Sequence, residues 1–386
     1  MSAWEQHLQR AAAVRERRDL VRRPRALPRG AVDLAGNDYL GLARHPRVLA
    51  GAREALELHG AGATASRLVT GTTAVHTALE EALADWCGAE AALVFSSGYL
   101  ANLGVVTALA DRGTTLVATD RMHASVHDAV RLARGQEQVV AHDDPVALEA
   151  VLAASRSPRA LVLVESVDSV TGAVAPLAEL AAVCARHGAL LVVDEAHGLG
   201  VLGGGRGLVA HAGLAGRPDV VQVVTLSKAL GAQGGAVLGP AAVVRHVAAT
   251  ARAFIYDTAL APAPAGAALS ALGVLADEPE RVERLHRVRD RLAGALGVEA
   301  PPGAVMARPA PDAATALAWQ AACQEQGVAV GCFRPPSVPD GVSRLRVTAS
   351  AGLDDAALER GTAVLESVLG PVPESALERA LPEAGA

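Results

Sequence analysis

The chain has 386 residues, of which 51% are hydrophobic and only 2% aromatic, so a core rich in Ala, Val and Leu in about two domains is expected. The net charge of −6 argues against nucleic acid as the main partner, and no apolar stretch is long enough to cross a membrane. The opening residues MSAWEQHLQR hold no apolar signal-peptide core, and the four cysteines form no CxxC pair. We therefore expect a protein of the reducing cytoplasm that binds neither nucleic acid nor membranes.

A basic run, RERRDLVRRPRALPRG, occupies residues 15–30. Glu16 and Asp19 interrupt it, which argues against a nucleic-acid arm or a targeting peptide. We expect an exposed helix and arm over residues 1–45, with one arginine reaching an anionic substrate.

Short apolar runs alternate with helical patterns from residue 46 onward. Continuously apolar, β-branched runs are typical of strands that are covered on both faces of a sheet. The predicted strands are AALVF (91–95), TTLVAT (114–119), ALVLVES (160–166), ALLVVDE (189–195), VVQVVTLS (220–227) and GGAVLG (234–239).

Helical spacing lies between these runs, as in YLANLGVVTALA, DPVALEAVLAA and PLAELAAVCARHG. Such alternation predicts an α/β domain with a mostly parallel sheet over residues 46–275. After residue 275, charged helical patterns surround two short strands near 328–333 and 343–349. We expect a smaller α+β domain over residues 276–386.

Polar residues follow two predicted strands at their carboxyl ends, where open α/β sheets carry their functional sites. Asp194 ends an apolar strand, which is a costly position for an unpaired carboxylate, and His197 lies three residues further on. Lys228 follows the next strand, after one strand-to-strand crossover. We expect this carboxylate and amine on neighbouring strand ends, although a hydrogen-bonded turn aspartate with a core histidine is an alternative.

Ser96, Ser97 and Gly98 form a small-residue turn between a predicted strand and a predicted helix. Free amides at the start of a helix bind phosphate, and Tyr99 adds a flat ring beside the turn. Taken alone, the motif is equally consistent with a plain strand–helix turn.

Lys228, in TLSKALG, is the only lysine of the chain. An arginine stays protonated, whereas a lysine can lose its proton and act as an amine nucleophile. A Schiff-base lysine, a buried carboxylate and a phosphate-binding turn are together the protein groups that pyridoxal 5′-phosphate (PLP) requires. We therefore predict this cofactor.

From about residue 30 to 370, the chain resembles the α-oxoamine synthases, which are fold type I PLP-dependent transferases. The matching segments are NDYLGLARHP, GATASRLVTGTTAVHTALEEALA, LVFSSGYLAN, DRMHASVHDA, VVDEAHGLGVLGGGRG, TLSKALGAQGGAVLG and FRPPSVPDGVSRLRVTAS.

Within this family, FIYDTALAPAPAGAAL and RPPSVP favour an enzyme of biotin synthesis. The resemblance implies condensation of L-alanine with a pimeloyl thioester, either pimeloyl-CoA or pimeloyl-acyl carrier protein. It also implies a homodimer, because the family's active sites form at a dimer interface.

The resemblance implies catalytic roles for four residues. Lys228 forms the Schiff base and acts as general base, Asp194 pairs with the pyridine nitrogen, and His197 contacts the phenolic oxygen. His123 stacks on the ring and also meets the substrate. The residues expected around the cofactor and its phosphate are Gly98, Tyr99, Ser169 and Thr225.

The resemblance also implies two groups of substrate contacts. Asn37 and Arg346 hold the amino-acid carboxylate, while Arg334 and Ser337 lie by the acyl substrate. Arg22, in the basic run, is the arginine that we expect at the pimeloyl carboxylate.

One stretch departs from the family pattern. After Ser169 the family usually shows Met-Asp-Gly-Asp, whereas this chain has Thr171 and Ala173, in SVTGAV, where acids are common. Because this loop borders the site, the departure concerns the substrates rather than the lysine chemistry.

Three other interpretations remain open. Another α-oxoamine synthase, such as glycine C-acetyltransferase or 5-aminolevulinate synthase, would join glycine to a short acyl group, and a further one would use serine. An aminotransferase shares the lysine and the aspartate, but His123 and the RPPSVP segment argue against it. A cofactor-binding regulator would carry an added DNA-binding domain, for which the basic arm is too short.

Overall fold

The computed structural model describes residues 1–17, 20–21, 24–335, 338 and 340–370. The helices in this part of the chain are α1 (Ala3–Arg17), α2 (Pro46–His59), α3 (Ala74–Cys87), α4 (Gly98–Leu109), α5 (Ala124–Ala133), α6 (Pro145–Ala154), α7 (Leu177–His187), α8 (Leu208–His211), α9 (Ala241–Thr250), α10 (Arg252–Ile255), α11 (Pro262–Asp277), α12 (Glu280–Leu296), α13 (Ala313–Glu325) and α14 (Asp355–Leu369). The strands are β1 (Val32–Asp33), β2 (Ala91–Phe95), β3 (Thr114–Thr119), β4 (Gln136–Val140), β5 (Arg159–Glu165), β6 (Leu190–Asp194), β7 (Val220–Thr225), β8 (Gly235–Gly239), β9 (Val305–Pro309), β10 (Val328–Ala329), β11 (Gly331–Phe333) and β12 (Arg344–Thr348).

Seven of these strands form one sheet in the order β2-β8-β7-β6-β5-β3-β4. β8 runs antiparallel to both neighbours, and the other strands run parallel to one another. Every residue of β3 and β7 is buried, as expected for strands that are covered on both faces. The six predicted strands and the mostly parallel sheet are confirmed.

β4 has no counterpart among the predicted strands. It pairs only with β3, at the edge of the sheet, and only its last residue, Val140, is buried. An exposed edge strand can be polar where the inner strands are apolar, as in QEQVV. A prediction based on apolar runs therefore misses this strand.

The direction of the strands determines where functional groups can meet. Because β2, β3, β5, β6 and β7 run parallel, their carboxyl ends lie at one edge of the sheet. Asp194 and Val223 are neighbours in the β6–β7 register, which confirms that the ends of these two strands are adjacent.

The region after α11 carries a second, three-stranded antiparallel sheet in the order β11-β12-β9, and β1 pairs with β10. One apolar cluster joins both regions, since it contains Leu275 of α11, Leu285 of α12, and Leu345 of β12. The limits proposed for the three segments, 1–45, 46–275 and 276–386, stay a prediction.

The helix predicted at the start of the chain is present as α1, and none of its residues is buried. Arg22 and Ser337 lie outside the described residues. Within the described ranges, no helix combines the length and the apolar character that a membrane crossing requires.

Candidate active site

A cavity of about 280 Å³ lies at the carboxyl edge of the large sheet. Groups from the ends of β2, β3, β5, β6 and β7 line it, so the site draws on distant parts of the sequence. The predicted site residues on its wall are Gly98, Tyr99, His123, Asp194, His197, Thr225 and Lys228.

Lys228 lies three residues beyond β7, and its Nζ is 2.9 Å from Nε2 of His197. Burial lowers the pKa of Lys228, and the positive charge of Arg346 adds to this, whereas the carboxylates of Asp194 and Glu165 oppose it. A lysine with a lowered pKa has more of the neutral amine, which is the form that attacks carbonyls and accepts protons.

His197 is buried, and its second ring nitrogen, Nδ1, lies 2.5 Å from the hydroxyl of Tyr39. Burial lowers the pKa of His197 well below its ordinary value, and the nearby charges of Lys228 and Arg346 act in the same direction. The ring is therefore neutral, with one of its two nitrogens protonated.

Asp194 ends β6 with a side chain that is held on two sides. Asn102 of α4 donates to its Oδ2 at 2.8 Å, and the amide of Ala196 donates to its Oδ1 at 2.9 Å. These bonds stabilise a carboxylate at the end of a buried strand and aim it into the cavity. Asn102 was not predicted, although it lies one helical turn beyond Gly98 on the same helix.

His123 caps the start of α5, where its Nδ1 accepts a hydrogen bond from the amide of Ser125 at 3.2 Å. Its ring meets that of Tyr99 edge-on, with the centroids 6.3 Å apart. Desolvation lowers the pKa of His123, and the charge of Asp194 opposes this. A neutral ring on the cavity wall suits contact with a flat cofactor.

The turn after β2 forms a cradle for an anion. Ser97 caps α4 by accepting from the amide of Leu100 at 3.2 Å, which leaves the first amides of the helix for a ligand. A Cβ added at Gly98 would lie 3.2 Å from Oγ1 of Thr225, so only glycine leaves this space open without a shift. Thr225 and Ser227 add hydroxyls, which lie 2.8 Å apart.

The polar groups of this cavity fit PLP. Amides and hydroxyls at the start of α4 suit a phosphate, the carboxylate of Asp194 suits a protonated ring nitrogen, and the amine of Lys228 suits an aldehyde. The individual roles of the predicted residues stay a proposal.

Glu165 is a second carboxylate of the cavity, and it was not predicted. It ends β5 directly beside Asp194 in the sheet and is only 3% exposed. Burial raises the pKa of Glu165 well above its ordinary value, and the charges of Asp194 and Asp168 raise it further. Its position near the end of the predicted strand ALVLVES is the sequence feature that could have identified it as a site residue.

Arg346 lies on β12, is 5% exposed and, like Asn37, is not on the wall of this cavity. It donates to the side chain of Asn37 at 3.1 Å and to the carbonyl of Ser169 at 2.8 Å, and its guanidinium stacks on Phe333 at 5.3 Å. No ion pair among the described residues includes Arg346, so its charge is available to an anionic ligand. The structure thus brings Asn37 and Arg346 together, and their contact with the amino-acid carboxylate stays a prediction.

Ser169 is not on the wall of this cavity, although it was expected around the cofactor. Its amide donates to Glu165 at 3.3 Å, and its carbonyl accepts from Arg346. Ser169 therefore links two residues of the site, and a direct contact with the cofactor stays a prediction.

The unusual loop after Ser169 is organised by Asp168. Its Oδ1 accepts from the amide of Val170 at 2.9 Å, and from both the amide and the hydroxyl of Thr171 at 2.5 and 2.9 Å. Asp168 thus supplies a carboxylate to a loop in which Thr171 and Ala173 replace acids, and this was not predicted.

Arg334 follows β11 and is half-buried, beside Cys332. It does not line the cavity, and its predicted contact with the acyl substrate stays a prediction.

Comparison with known protein families matches residues 29–365 to the class I and II aminotransferase family. The chain belongs to this family. A curated relative, the 8-amino-7-oxononanoate synthase of Mycobacterium avium (strain 104), is 57% identical over 348 residues, which cover 90% of this chain and 91% of that protein.

Two solved structures are similar to this chain. The serine palmitoyltransferase of S. paucimobilis, with a bound PLP–myriocin aldimine, is 32% identical with a TM-score of 0.83 and covers 89% of this chain and 90% of that one. The 8-amino-7-oxononanoate synthase from Francisella tularensis, 24% identical with a TM-score of 0.74 over 89% of this chain and 98% of that one, shows the common fold alone.

These findings confirm three predictions. The fold is that of the fold type I PLP enzymes, the cofactor is PLP, and the resemblance to the acyl-transferring α-oxoamine synthases holds. The family model also covers aminotransferases, so the reaction has to be argued from the relatives and the site together.

Proposed function

We propose that this enzyme condenses L-alanine with a pimeloyl thioester to give 8-amino-7-oxononanoate, CO₂ and a free thiol, as a step of biotin synthesis. In this reaction Cα of alanine bonds to the thioester carbonyl carbon, the C–S bond breaks, and the bond to the original carboxylate breaks to release CO₂. The observation that carries the proposal is the 57% identity, over nine-tenths of the chain, to a curated enzyme of that name.

The residues that would hold PLP are those of the cavity. The start of α4, with Thr225 and Ser227, would hold the phosphate, Lys228 would attach the cofactor covalently, and His123 would contact its ring. When bound, PLP supplies the electron sink that makes a proton on Cα of an amino acid removable.

Arg346 and Asn37 are the proposed binding site of the alanine carboxylate. A buried guanidinium with neutral partners gives charge-assisted hydrogen bonds to a carboxylate, and these fix the orientation of Cα. Ser169 and Phe333 hold the guanidinium in place from two directions.

Lys228 is the proposed general base. Once free of the cofactor, its neutral amine accepts the Cα proton, and the lowered pKa of Lys228 through burial keeps that amine available. Asp194 would keep a bound cofactor protonated at its ring nitrogen, and the hydrogen bonds that it accepts from Asn102 and Ala196 keep the carboxylate in place.

The acyl donor is either pimeloyl-CoA or pimeloyl-acyl carrier protein, with Arg334, Ser337 and Arg22 as proposed contacts. We further propose a cytoplasmic homodimer. The alternative is another α-oxoamine synthase that uses glycine or serine. The choice between these amino acids and L-alanine depends on the residues that contact the side chain of the amino acid.

The test offers the PLP-loaded enzyme pimeloyl-CoA together with L-alanine, glycine or L-serine, and records thiol release and product mass. We expect release with L-alanine and the mass of 8-amino-7-oxononanoate. Release with glycine or serine alone would overturn the choice of amino acid, and no release from enzyme that carries PLP would overturn pimeloyl-CoA as the donor.

A further inference from the structure

Tyr39 belongs to the segment between β1 and α2, and it is fully buried. Its hydroxyl oxygen lies 2.5 Å from Nδ1 of His197 and 3.3 Å from Oδ1 of Asn37. Since Nε2 of His197 lies 2.9 Å from Nζ of Lys228, one imidazole ring separates Tyr39 from the lysine. None of the roles proposed above involves Tyr39.

The neutral ring of His197 has two tautomers, and the proton on Tyr39 decides between them. If Tyr39 donates to Nδ1, the ring proton lies on Nε2 and points at Lys228, whose amine accepts it. If Nδ1 carries the proton instead, it donates to Tyr39, and the bare Nε2 accepts from Lys228. The first arrangement favours the neutral amine, and the second favours the ammonium.

Two contacts and one nearby charge favour the first arrangement. The contact of Tyr39 to His197, at 2.5 Å, is much shorter than its contact to Asn37, at 3.3 Å. The amide oxygen of Asn37 already accepts from Arg346 at 3.1 Å. Burial raises the pKa of Tyr39, while the nearby positive charge of Arg346 opposes this. A phenol beside a positive charge is a better O–H donor and a poorer acceptor for an N–H.

We infer that Tyr39 is a positioning residue, whose hydroxyl fixes His197 in the tautomer with the N–H on Nε2, facing Lys228 and the cavity. This N–H keeps the free lysine in its neutral form, as a general base requires. It also faces the cofactor pocket as a donor, which suits the phenolic oxygen of PLP. The inference deepens the proposed function and rests on it only for the role of Lys228 as base.

The other groups that act on Lys228 come from separate elements. Asp194 at the end of β6 favours its charged form, as does Glu165 at the end of β5 when it is ionised, while Arg346 on β12 disfavours it. Its charge is also felt by His123 at the start of α5 and by His197. Replacing Tyr39 by Phe leaves all of these groups in the chain, so the comparison isolates the hydroxyl.

Because Lys228 is the only lysine, the full-length protein labelled with ¹³C,¹⁵N-lysine gives a single side-chain signal. Titrated in the cofactor-free form, Tyr39→Phe should move the midpoint for Lys228 upward by about one pH unit relative to the wild type. Tyr256→Phe is the matched control, because Tyr256 is 71% exposed. An unchanged midpoint in Tyr39→Phe would overturn the inference.

The wild-type protein provides a second test that does not depend on the folding of any Tyr39 variant. In ¹⁵N-histidine spectra, protonated and unprotonated ring nitrogens have separate shifts, and the signal of His197 is the one that is lost in His197→Asn. We expect the proton on Nε2, and a proton on Nδ1 would overturn the inference. Neither spectrum contains substrate, so a failed condensation assay and a failed tautomer test are distinguishable.

Discussion

Nζ of Lys228 lies 2.9 Å from Nε2 of His197, although 30 residues and a strand-to-strand crossover separate them in the chain. The contact joins the end of β7 to the turn after β6, so parallel pairing of these two strands brings the amine to its partner. The site therefore depends on the sheet as a whole.

The first prediction concerns the chemical need for lysine at position 228. Lys228→Arg keeps the positive charge but lacks an amine that can lose its proton, so activity should fall at least about 10³-fold. Borohydride reduction of the variant with PLP should leave no pyridoxyl group on the 225–231 segment. Arg287→Lys, on the exposed side of α12, is the control that adds a lysine elsewhere and should retain activity.

The second prediction concerns the phosphate cradle. Gly98→Ala places a Cβ 3.2 Å from both Cβ and Oγ1 of Thr225, so Thr225 has to shift and the dissociation constant for PLP should rise about tenfold. Gly294→Ala, on α12 with no atom within 4 Å of the added Cβ, is the matched control. Equal PLP affinity in the two variants, measured by absorbance titration, would contradict the cradle.

The third prediction concerns the amino-acid carboxylate. Arg346→Lys loses the planar contacts to Asn37 and Ser169, so KM for L-alanine should rise about 10- to 100-fold, with a smaller change for the acyl donor. Arg308→Lys is the matched control, because Arg308 is also buried and also lies against an aromatic ring, that of Trp319. An equal rise in KM for L-alanine in both variants would indicate a general loss of packing and contradict a carboxylate site at Arg346.

The fourth prediction concerns the pH dependence of stability. Burial raises the pKa of Glu165, so the folded protein keeps a proton that the unfolded chain loses above about pH 4.5. The free energy of unfolding should therefore fall as pH rises from about 4.5 to the raised pKa of the folded protein, by at most about 1.4 kcal/mol per pH unit from this group. Glu165→Gln, which cannot titrate, should lack this decrease.

Urea unfolding of the cofactor-free protein from pH 3.5 to 8 measures this difference. Below pH 4 the carboxyl of Glu165 is protonated in both the folded and the unfolded protein, so the difference in free energy of unfolding between wild type and Glu165→Gln should be constant there. Above that range, the free energy of unfolding of the variant should rise relative to that of the wild type. An offset that stays constant across the whole range would mean that Glu165 has an ordinary pKa.

The sequence was sufficient to predict the frame of the site. Continuous apolar runs identified the inner strands, and the parallel order that follows from strand–helix alternation brought Asp194 and Lys228 to adjacent strand ends. The turn at Gly98 follows a strand end in the same way, whereas His123, which caps α5, was expected only from the family resemblance.

The parts that sequence reasoning missed depend on contacts between distant segments. The hydroxyl of Tyr39 meets His197 only because the segment before α2 packs against the end of the large sheet. Glu165 was overlooked inside an apolar run, since its burial is visible only when β5 has neighbours on both sides. Asp168 was missed because the loop that it holds, by accepting from the amide of Thr171, departs from the sequence pattern that the resemblance implies.

Decarboxylative condensation requires the alanine carboxylate to leave as CO₂, so the fate of this carboxylate distinguishes it from transamination. PLP-loaded enzyme is given carboxyl-¹³C-labelled L-alanine and pimeloyl-CoA, and labelled CO₂ is counted against free thiol, with Lys228→Arg as the inactive control. We expect one labelled CO₂ for each thiol released and neither product from the control. Labelled pyruvate, or CO₂ without thiol, would instead indicate an aminotransferase or a simple decarboxylase.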